Sequence, residues 1–245
     1  MVKVLELFSG TKSVGKCCDK LDWESVSVDM ILPAYHQVNI MDFDYKQYHK
    51  DHFDIIWGSP PCTAFSNLQS CWIGRKKKDG TIYTREIMEK NMNEADKLVL
   101  KTFEIIEYFK PELWFIENPQ TGRLKNREIM KDIPFYDVDY CMYSDWGYKK
   151  RTRIWTNKLD WENKLCNGKG SCGNMIIIPK VSMQKGVKKH RVNLSTDVGC
   201  GSQHNQPKDL KYLGKGTNRI DRYRVPEDLI FSLFNSTLRR SHPLV

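Results

Sequence analysis

Short apolar runs that end in glycine, proline or an acidic residue alternate along this chain with stretches of helical periodicity. The runs typical of strands lie at residues 2–8, 24–28, 38–40, 53–57, 113–116, 136–143 and 153–157. Helices are predicted at residues 13–21, 93–109 and 123–130 and again after Pro226, and residues 67–92 predict a long polar loop. Strands that alternate with helices favour an α/β fold with a doubly wound, mostly parallel sheet.

The segment at residues 158–216 interrupts this alternation, because glycine, asparagine and lysine replace most of the apolar runs. We therefore expect residues 1–157 and 217–245 to form one domain and residues 158–216 to form a small lobe. Residues 146–220 hold 16 Lys and Arg against 4 Asp and Glu, a local charge of +12, whereas the other 170 residues sum to −3. This concentration predicts a surface that binds a polyanion, with a solvated basic face as the alternative.

The composition favours a globular protein in a reducing compartment. The mean hydropathy is −0.57, and no run approaches the ~18 apolar residues that cross a bilayer. The first strand is not preceded by a signal-peptide core. We therefore expect an intracellular protein whose eight cysteines are thiols or ligands rather than a disulfide framework.

A stiff turn, Gly58-Ser-Pro-Pro-Cys62, must end the strand at residues 53–57. Its two prolines fix φ twice and supply no backbone N–H, so the chain leaves the sheet in an extended bend. Cys62 then lies at the carboxyl end of a strand, where open α/β sheets bind their ligands. A cysteine held there is a candidate nucleophile, and a small core residue near a turn is the alternative.

The first turn, at residues 10–17, nearly matches the phosphate-binding loop Gly-x4-Gly-Lys-[Ser/Thr]. Cys17 stands where that loop requires a hydroxyl to bind Mg²⁺, so a phosphotransferase is the weaker alternative. Asp29, at the tip of the second strand, is placed to accept hydrogen bonds from ribose hydroxyls. Asp42 could contact an adenine amine, and Phe8 could lie against the adenine ring. These residues favour an adenosine-containing ligand.

Five motifs follow one another along the chain: residues 6–10 (Glu-Leu-Phe-Ser-Gly), 59–62 (Ser-Pro-Pro-Cys), 115–119 (Phe-Ile-Glu-Asn-Pro), 151–155 (Arg-Thr-Arg-Ile-Trp) and 224–229 (Arg-Val-Pro-Glu-Asp-Leu). In this order they resemble the C5-cytosine-specific DNA methyltransferase family, and the compact size is similar to its viral and phage members. Lys12 and Ser13 stand where the family has glycines. The resemblance implies a Rossmann-like class I methyltransferase fold, S-adenosylmethionine as cofactor and a basic target-recognition lobe at residues 158–216.

The resemblance also implies roles for individual residues. It places the cofactor against Phe8, Ser9, Gly10, Thr11, Asp29, Met30, Asp42, Phe43 and Pro60. It places the substrate against Ser59, Pro61, Asn118, Arg75, Lys149 and Lys150. The catalytic residues would be Cys62, Glu117, Arg151 and Arg153, and no metal is implied among them.

The implied reaction explains why a cysteine and an acid belong together. Carbon 5 of cytosine is a poor nucleophile until Cys62 adds to carbon 6 of the ring. Negative charge then develops on the ring unless a protonated Glu117 donates at nitrogen 3. The guanidinium groups of Arg151 and Arg153 could grip a phosphate or order the Cys62 turn. A base inside a duplex must flip out to reach such a pocket.

We therefore expect a monomer that methylates carbon 5 of cytosine in double-stranded DNA, away from membranes and, if the protein is viral, in the host cytoplasm or nucleus. The same chemistry on RNA remains open, and so does a non-catalytic nucleic-acid binder regulated by S-adenosylmethionine. Zinc in the lobe also remains open, although the Cys-x2-Cys pairing of common zinc sites is missing. Its candidate ligands are Cys166, Cys172, His190, Cys200 and His204.

Overall fold

The computed structural model describes residues 1–180, 183–190 and 221–241, and the chain divides into two compact units. The first unit comprises Met1–Tyr136 and Thr152–Asp160. The second comprises Asp137–Arg151 and the described residues from Trp161 onward. The predicted boundary of a lobe at residues 158–216 stays a prediction, since much of that segment, including Cys200 and His204, lies outside the described residues.

Six strands form one mostly parallel sheet. They are β1 (Lys3–Leu7), β2 (Glu24–Val28), β3 (Ile55–Gly58), β4 (Leu113–Pro119), β5 (Phe135–Asp139) and β6 (Arg151–Thr156). Their order across the sheet is β2-β1-β3-β4-β6-β5. The first four strands are parallel, and β6 runs antiparallel to β4. The predicted α/β class with a mostly parallel sheet is confirmed.

The central strands are apolar because both of their faces are covered. Leu5 and Leu7 of β1, together with Ile55, Ile56 and Trp57 of β3, are at most 1% exposed. Parallel strands that are buried on both faces have continuous apolar sequences rather than alternating ones. These continuous runs made β1 and β3 recognisable in the sequence.

Two helices belong to the first unit, α1 (Ser13–Lys20) and α2 (Arg85–Phe109). The predicted start of the second helix at residue 93 was wrong, and residues 85–92 of the predicted long loop belong to α2 instead. The hydroxyl of Thr84 accepts the N–H of Ile87 at 3.3 Å and caps the helix well before residue 93. Met88 and Met92 then extend the buried face of α2 toward its N-terminus.

Two short segments are 3-10 turns where regular elements were predicted. Ile40–Asp42 replaces the predicted third strand, because Asn39 Oδ1 accepts the N–H of Met41 at 3.0 Å and closes the chain locally. The helix predicted at residues 123–130 was also wrong. It is two 3-10 turns separated by Arg127, whose backbone is extended (φ −79°, ψ 142°).

The described residues of the second unit from Trp161 onward form a strand pair and a helix. β7 (Met175–Lys180) pairs antiparallel with β8 (Met183–His190). The predicted helix after Pro226 is confirmed as α3 (Glu227–Ser241), and Ile230 donates its N–H to the carbonyl of Pro226 at 3.2 Å. Among the helices of the described residues, none is both long enough and apolar enough to span a bilayer.

Candidate active site

The carboxyl ends of β1, β2, β3 and β4 meet at one edge of the sheet because these strands are parallel. From β1 the chain moves to β2 on one side, whereas β3 and β4 lie on the other side of β1. The strand order therefore reverses between β1 and β3, and open α/β sheets bind ligands outside such a switch point. The turns that follow Leu7 and Gly58 flank this crevice.

The turn after β1 has an unusual backbone. Phe8, Gly10 and Lys12 all have positive φ, at 56°, 51° and 54°. Lys12 thus adopts a left-handed conformation that glycine adopts readily. Lysine at this position therefore keeps the backbone shape that the glycines of the similar motif would give, at some steric cost.

Asp29 joins the turns after β1 and β2. Its Oδ2 accepts the N–H of Gly10 at 2.8 Å, and its Oδ1 accepts the N–H groups of Ile31 and Leu32, each at 2.8 Å. A carboxylate offers about four lone-pair positions, so Oδ2 keeps capacity for one further donor. The predicted contact between Asp29 and a ribose hydroxyl is compatible with this geometry and stays a prediction.

Three other residues predicted to bind the cofactor lie in the same turn. Phe8 is half-buried against the core, and the Oγ atoms of Thr11 and Ser13 lie 3.1 Å apart. Ser9 is buried, and its Oγ has no hydrogen-bond partner among the described residues. A buried hydroxyl of this kind at a ligand-binding edge is suited to a polar contact with a ligand.

The rest of the predicted cofactor residues differ in exposure. Met30 and Asp42 are exposed, whereas Phe43 is buried with its ring centroid 5.1 Å from that of His36. Phe43 therefore packs in the core. Pro60 is buried in the turn after β3.

Glu6 is a functional candidate that the sequence analysis missed. It is buried in β1, and its two carboxyl oxygens accept the N–H groups of Val14 and Gly15, each at 3.0 Å. Burial raises the pKa of Glu6 to about 7, while the two N–H donors and Lys12 act in the opposite direction. The Glu6 carboxyl group thus occupies two backbone N–H groups at the start of α1. A phosphate-binding loop would leave such groups for its ligand, so this contact argues against the phosphotransferase alternative. The signal available in the sequence was an acidic residue within an otherwise apolar strand.

The turn after β3 is fixed at its first residue. The N–H of Ser59 donates to the carbonyl of Leu7 at 3.2 Å, and Ser59 Oγ accepts the indole N–H of Trp57 at 3.0 Å. These bonds hold the start of the Pro-Pro turn against the end of β1, across the switch point.

A second contact links this turn to β4. Asn118 Nδ2 donates to the carbonyl of Pro60 at 2.8 Å in a buried position. After the prolines, the N–H of Phe65 donates to the carbonyl of Cys62 at 3.1 Å, and Cys62 itself is half-buried. The cysteine therefore lies in a turn that is held from both sides.

Glu117 lies beside Asn118 at the same edge of the sheet. Gly58, the last residue of β3, pairs with Ile116 of β4, so Glu117 is one residue further along the neighbouring strand. Its side chain is 6% exposed. The structure thus brings together the two segments that carry the predicted nucleophile and the predicted acid.

Gly122 allows the segment after β4 to pack closely on the Cys62 turn. The N–H of Arg123 donates to the carbonyl of Phe65 at 2.8 Å. A Cβ atom added at Gly122 would lie 3.1 Å from the carbonyl oxygen of Pro119 and 3.5 Å from that of Phe65. A side chain at position 122 would therefore push these segments apart.

Arg153 lies on β6 directly opposite Asn118 of β4. Opposite residues of an antiparallel pair share one face of the sheet. The guanidinium carbon of Arg153 lies 3.5 Å from the ring centroid of Phe135 and 5.9 Å from that of Trp155. Its predicted contact with nucleotide stays a prediction.

Arg151, predicted to be catalytic, and Lys149 and Lys150, predicted to contact the substrate, have partners inside the second unit. Arg151 Nε and Nη2 donate to the carboxylate of Asp139 at 2.9 and 2.8 Å, and Lys149 Nζ lies 3.4 Å from the same carboxylate. Burial raises the pKa of Asp139, but Arg151, the N–H of Cys166 and Lys149 together hold it below its usual range. Lys150 Nζ lies 4.8 Å above the ring of Tyr140.

Arg75 belongs to an exposed basic turn in the first unit. The turn holds four consecutive basic residues, 75–78, and an isolated bridge between Lys76 and Ile82 closes it. Gly80 at its tip has a φ of 86°. These side chains extend into solvent, where they could neutralise phosphates.

Comparison with known proteins gives a consistent result. Residues 28–142 match the model of the C-5 cytosine-specific DNA methylase family. The chain is 39% identical over 236 residues to a probable DNA (cytosine-5)-methyltransferase of Frog virus 3 (isolate Goorha), a match that covers 96% of this chain and 99% of that protein.

Solved structures are similar at a greater distance. A putative DNA modification methyltransferase encoded within an E. coli prophage is 15% identical over 64% of this chain and 46% of its own, with a TM-score of 0.42. The S. pombe Dnmt2 methyltransferase is 12% identical over 67% of this chain and 52% of its own, with a TM-score of 0.41. The chain spans about half the length of both proteins.

Proposed function

Because the chain belongs to the C-5 cytosine-specific DNA methylase family, we propose that it transfers a methyl group from S-adenosylmethionine to carbon 5 of cytosine in DNA through a transient covalent bond between Cys62 and the base. The observation that carries the mechanism is the buried hydrogen bond from Asn118 Nδ2 to the carbonyl of Pro60. It ties the turn of Cys62 to the residue next to Glu117 at the carboxyl edge of two adjacent strands.

The proposed reaction begins with addition of the Cys62 thiolate to carbon 6 of cytosine. Glu117 in its protonated form donates at nitrogen 3, so the ring electrons collect at carbon 5 rather than as a full negative charge on the ring. Carbon 5 attacks the methyl group of the sulfonium and releases S-adenosylhomocysteine. A water molecule takes the proton from carbon 5, the C–S bond breaks so that Cys62 leaves as a thiolate, and nitrogen 3 returns its proton to Glu117, which restores the aromatic ring.

The residues at the carboxyl edge fit the cofactor. Asp29 keeps acceptor capacity on Oδ2, and Ser9 offers a buried hydroxyl without a partner among the described residues. When bound, S-adenosylmethionine supplies the methyl group. The role of Asp29, Ser9 and the Gly10 turn is to hold its adenosine and amino-acid parts outside the switch point between β1 and β3.

The substrate proposal rests on charge and on access to the base. A cytosine inside a duplex must leave the stack before Cys62 can reach carbon 6, so the enzyme must hold flanking phosphates while the base is out. The exposed basic turn at residues 75–78 is suited to that task in the first unit. We propose double-stranded DNA as the substrate of an intracellular, monomeric enzyme.

A trapping experiment tests the mechanism. Duplex DNA that contains 5-fluorocytosine should accept the methyl group and then stay bonded to Cys62, because fluorine cannot leave carbon 5 as a proton does. Cys62→Ser should form no adduct and transfer no methyl group, yet bind labelled S-adenosylmethionine as the wild type does. Cys71→Ser, at an exposed cysteine, is the matched control.

The same assay separates the alternatives. Methyl transfer by Cys62→Ser at the wild-type rate would overturn the covalent mechanism. Wild-type protein that binds cofactor and DNA without transfer would indicate a regulated binder. RNA would be the substrate if single-stranded or duplex RNA, assayed beside the DNA, were methylated and the DNA were not.

A further inference from the structure

Four potential metal ligands converge in the second unit, and none of them is a residue that the proposed reaction uses. They are Cys141, Cys166, Cys172 and His190, and their ligand atoms all lie within 4.8 Å of one another. We propose that these four side chains bind one structural zinc ion. The proposal does not depend on the methyltransferase activity.

The two distances between His190 and its neighbouring thiols match tetrahedral zinc. Nε2 of His190 lies 3.6 Å from the sulfur of Cys166 and 3.5 Å from the sulfur of Cys172. Bond lengths of about 2.3 Å to sulfur and about 2.0–2.1 Å to nitrogen, at a tetrahedral angle, place these two atoms about 3.6 Å apart. Soft thiolate ligands with one imidazole in this geometry favour zinc over calcium or magnesium.

The ligands come from three separate parts of the chain. Cys141 lies in the 3-10 turn Tyr140–Met142, directly after β5. Cys166 and Cys172 border a loop in which Gly168 and Gly170 have φ of 72° and 110°. These left-handed glycines let the loop fold back so that both thiols face the same point.

His190 supplies the fourth ligand from the end of β8. It pairs with Met175, the first residue of β7, three residues beyond Cys172. A metal at the cluster would therefore connect the base of this strand pair to the turn after β5. Four protein ligands also fill a tetrahedral zinc ion, which is the arrangement of structural rather than catalytic sites.

Hydrogen bonds outside the cluster hold its ligands in position. Asn174 is buried, and its Nδ2 donates to the carbonyls of Cys141 at 2.9 Å and Cys172 at 3.1 Å. Asp139 Oδ2 accepts the N–H of Cys166 at 2.8 Å. Supporting bonds of this kind orient ligands in known metal sites.

Charge complementarity supports the same conclusion. Zinc with three thiolates and a neutral imidazole carries a net negative charge. Lys149 Nζ lies 3.3 Å from the carbonyl of Cys166, so a positive charge stands beside one of the ligands.

The metal content of the full-length protein, purified under reducing conditions without chelator, tests the proposal. Elemental analysis should find about one zinc ion per chain. X-ray absorption at the zinc edge should give three sulfur ligands and one nitrogen ligand, with Zn–S distances of about 2.3 Å. Cobalt(II) added to the metal-free protein should produce the visible absorption bands of a tetrahedral thiolate site.

Substitutions locate the ion. Cys172→Ser and His190→Ala should each reduce retained zinc about tenfold or more after dialysis against a weak chelator. These two ligands are chosen because both are only partly buried, so their replacement disturbs packing least. Cys71→Ser and His49→Ala, at exposed residues of the first unit, should keep it. Cys200→Ser and His204→Ala should keep it as well.

Three results would overturn the proposal. The first is wild-type protein that holds no zinc and binds neither added zinc nor cobalt. The second is loss of zinc from Cys200→Ser or His204→Ala while Cys172→Ser retains it. The third is mass-spectrometric detection of a disulfide among Cys141, Cys166 and Cys172 in protein kept under reducing conditions.

Discussion

Replacement of Glu6 by glutamine should change how stability depends on pH, in a direction that the structure fixes. Burial raises the pKa of Glu6 from 4.5 to about 7, so between these values the folded state binds more protons than the unfolded state. The stability that protonated Glu6 contributes is complete below the unfolded pKa and is lost as pH rises through the folded pKa. Between about pH 5 and about pH 8 this loss amounts to roughly 2–3 kcal/mol in the free energy of unfolding.

Urea unfolding of the wild type and of Glu6→Gln at the two pH values measures this quantity. Because glutamine does not titrate, the variant should gain about 2–3 kcal/mol relative to the wild type as pH rises over that range. Glu24→Gln, at an exposed residue of neighbouring β2, is the matched control and should show no comparable gain. If Glu6→Gln instead loses stability relative to the wild type as pH rises, the N–H groups of Val14 and Gly15 outweigh burial, and the reasoning is refuted.

Three further substitutions probe the carboxyl edge. Asn118→Leu leaves the carbonyl of Pro60 unpaired, so it should cost about 1–3 kcal/mol in unfolding free energy and lower kcat while cofactor affinity is kept; unchanged kcat would contradict a positioning role. Gly122→Ala should cost about 1–3 kcal/mol by overpacking, measured by thermal unfolding, and a neutral result would mean that the segments move apart freely. Lys12→Gly should stabilise the protein by about 1 kcal/mol by relieving the left-handed backbone, whereas Lys16→Gly inside α1 should destabilise it by a similar amount; equal effects of both would contradict the backbone argument.

The sheet could be predicted because its strands carry a strong local signal. β3 and β4 are apolar runs buried on both faces, and burial of that kind leaves few alternatives to a central strand. The start of α2 was missed because residues 85–92 are mostly polar, and only the cap at Thr84 and the buried Met88 and Met92 mark it. The segment at residues 38–40 has strand-like composition, but Asn39 closes it into a turn through a local hydrogen bond.

The active-site segments were predictable for a related reason. Cys62 lies in the turn that follows β3 and Glu117 lies near the end of β4, so knowledge of the strands places both segments at one edge of the sheet. The proposed zinc ligands are different, because Cys141 lies in another element from Cys166 and Cys172, and His190 is the last residue of β8. The sequence predicted Cys166, Cys172 and His190 as candidate ligands, but no local pattern adds Cys141, which only the folded chain brings beside them.

The two arginines of the same sequence motif can be distinguished by combining two measurements. Arg151 bonds the carboxylate of Asp139, which in turn accepts the N–H of Cys166, so Arg151→Ala should reduce zinc retention as well as methyl transfer. Arg153 lies on β6 opposite Asn118, with its guanidinium against the ring of Phe135 in the first unit, so Arg153→Ala should keep its zinc while methyl transfer falls. Loss of activity alone would therefore not identify a contact with DNA at Arg151. Full zinc content with abolished methyl transfer in Arg151→Ala would contradict this view and return Arg151 to the substrate-binding role that its sequence motif implies.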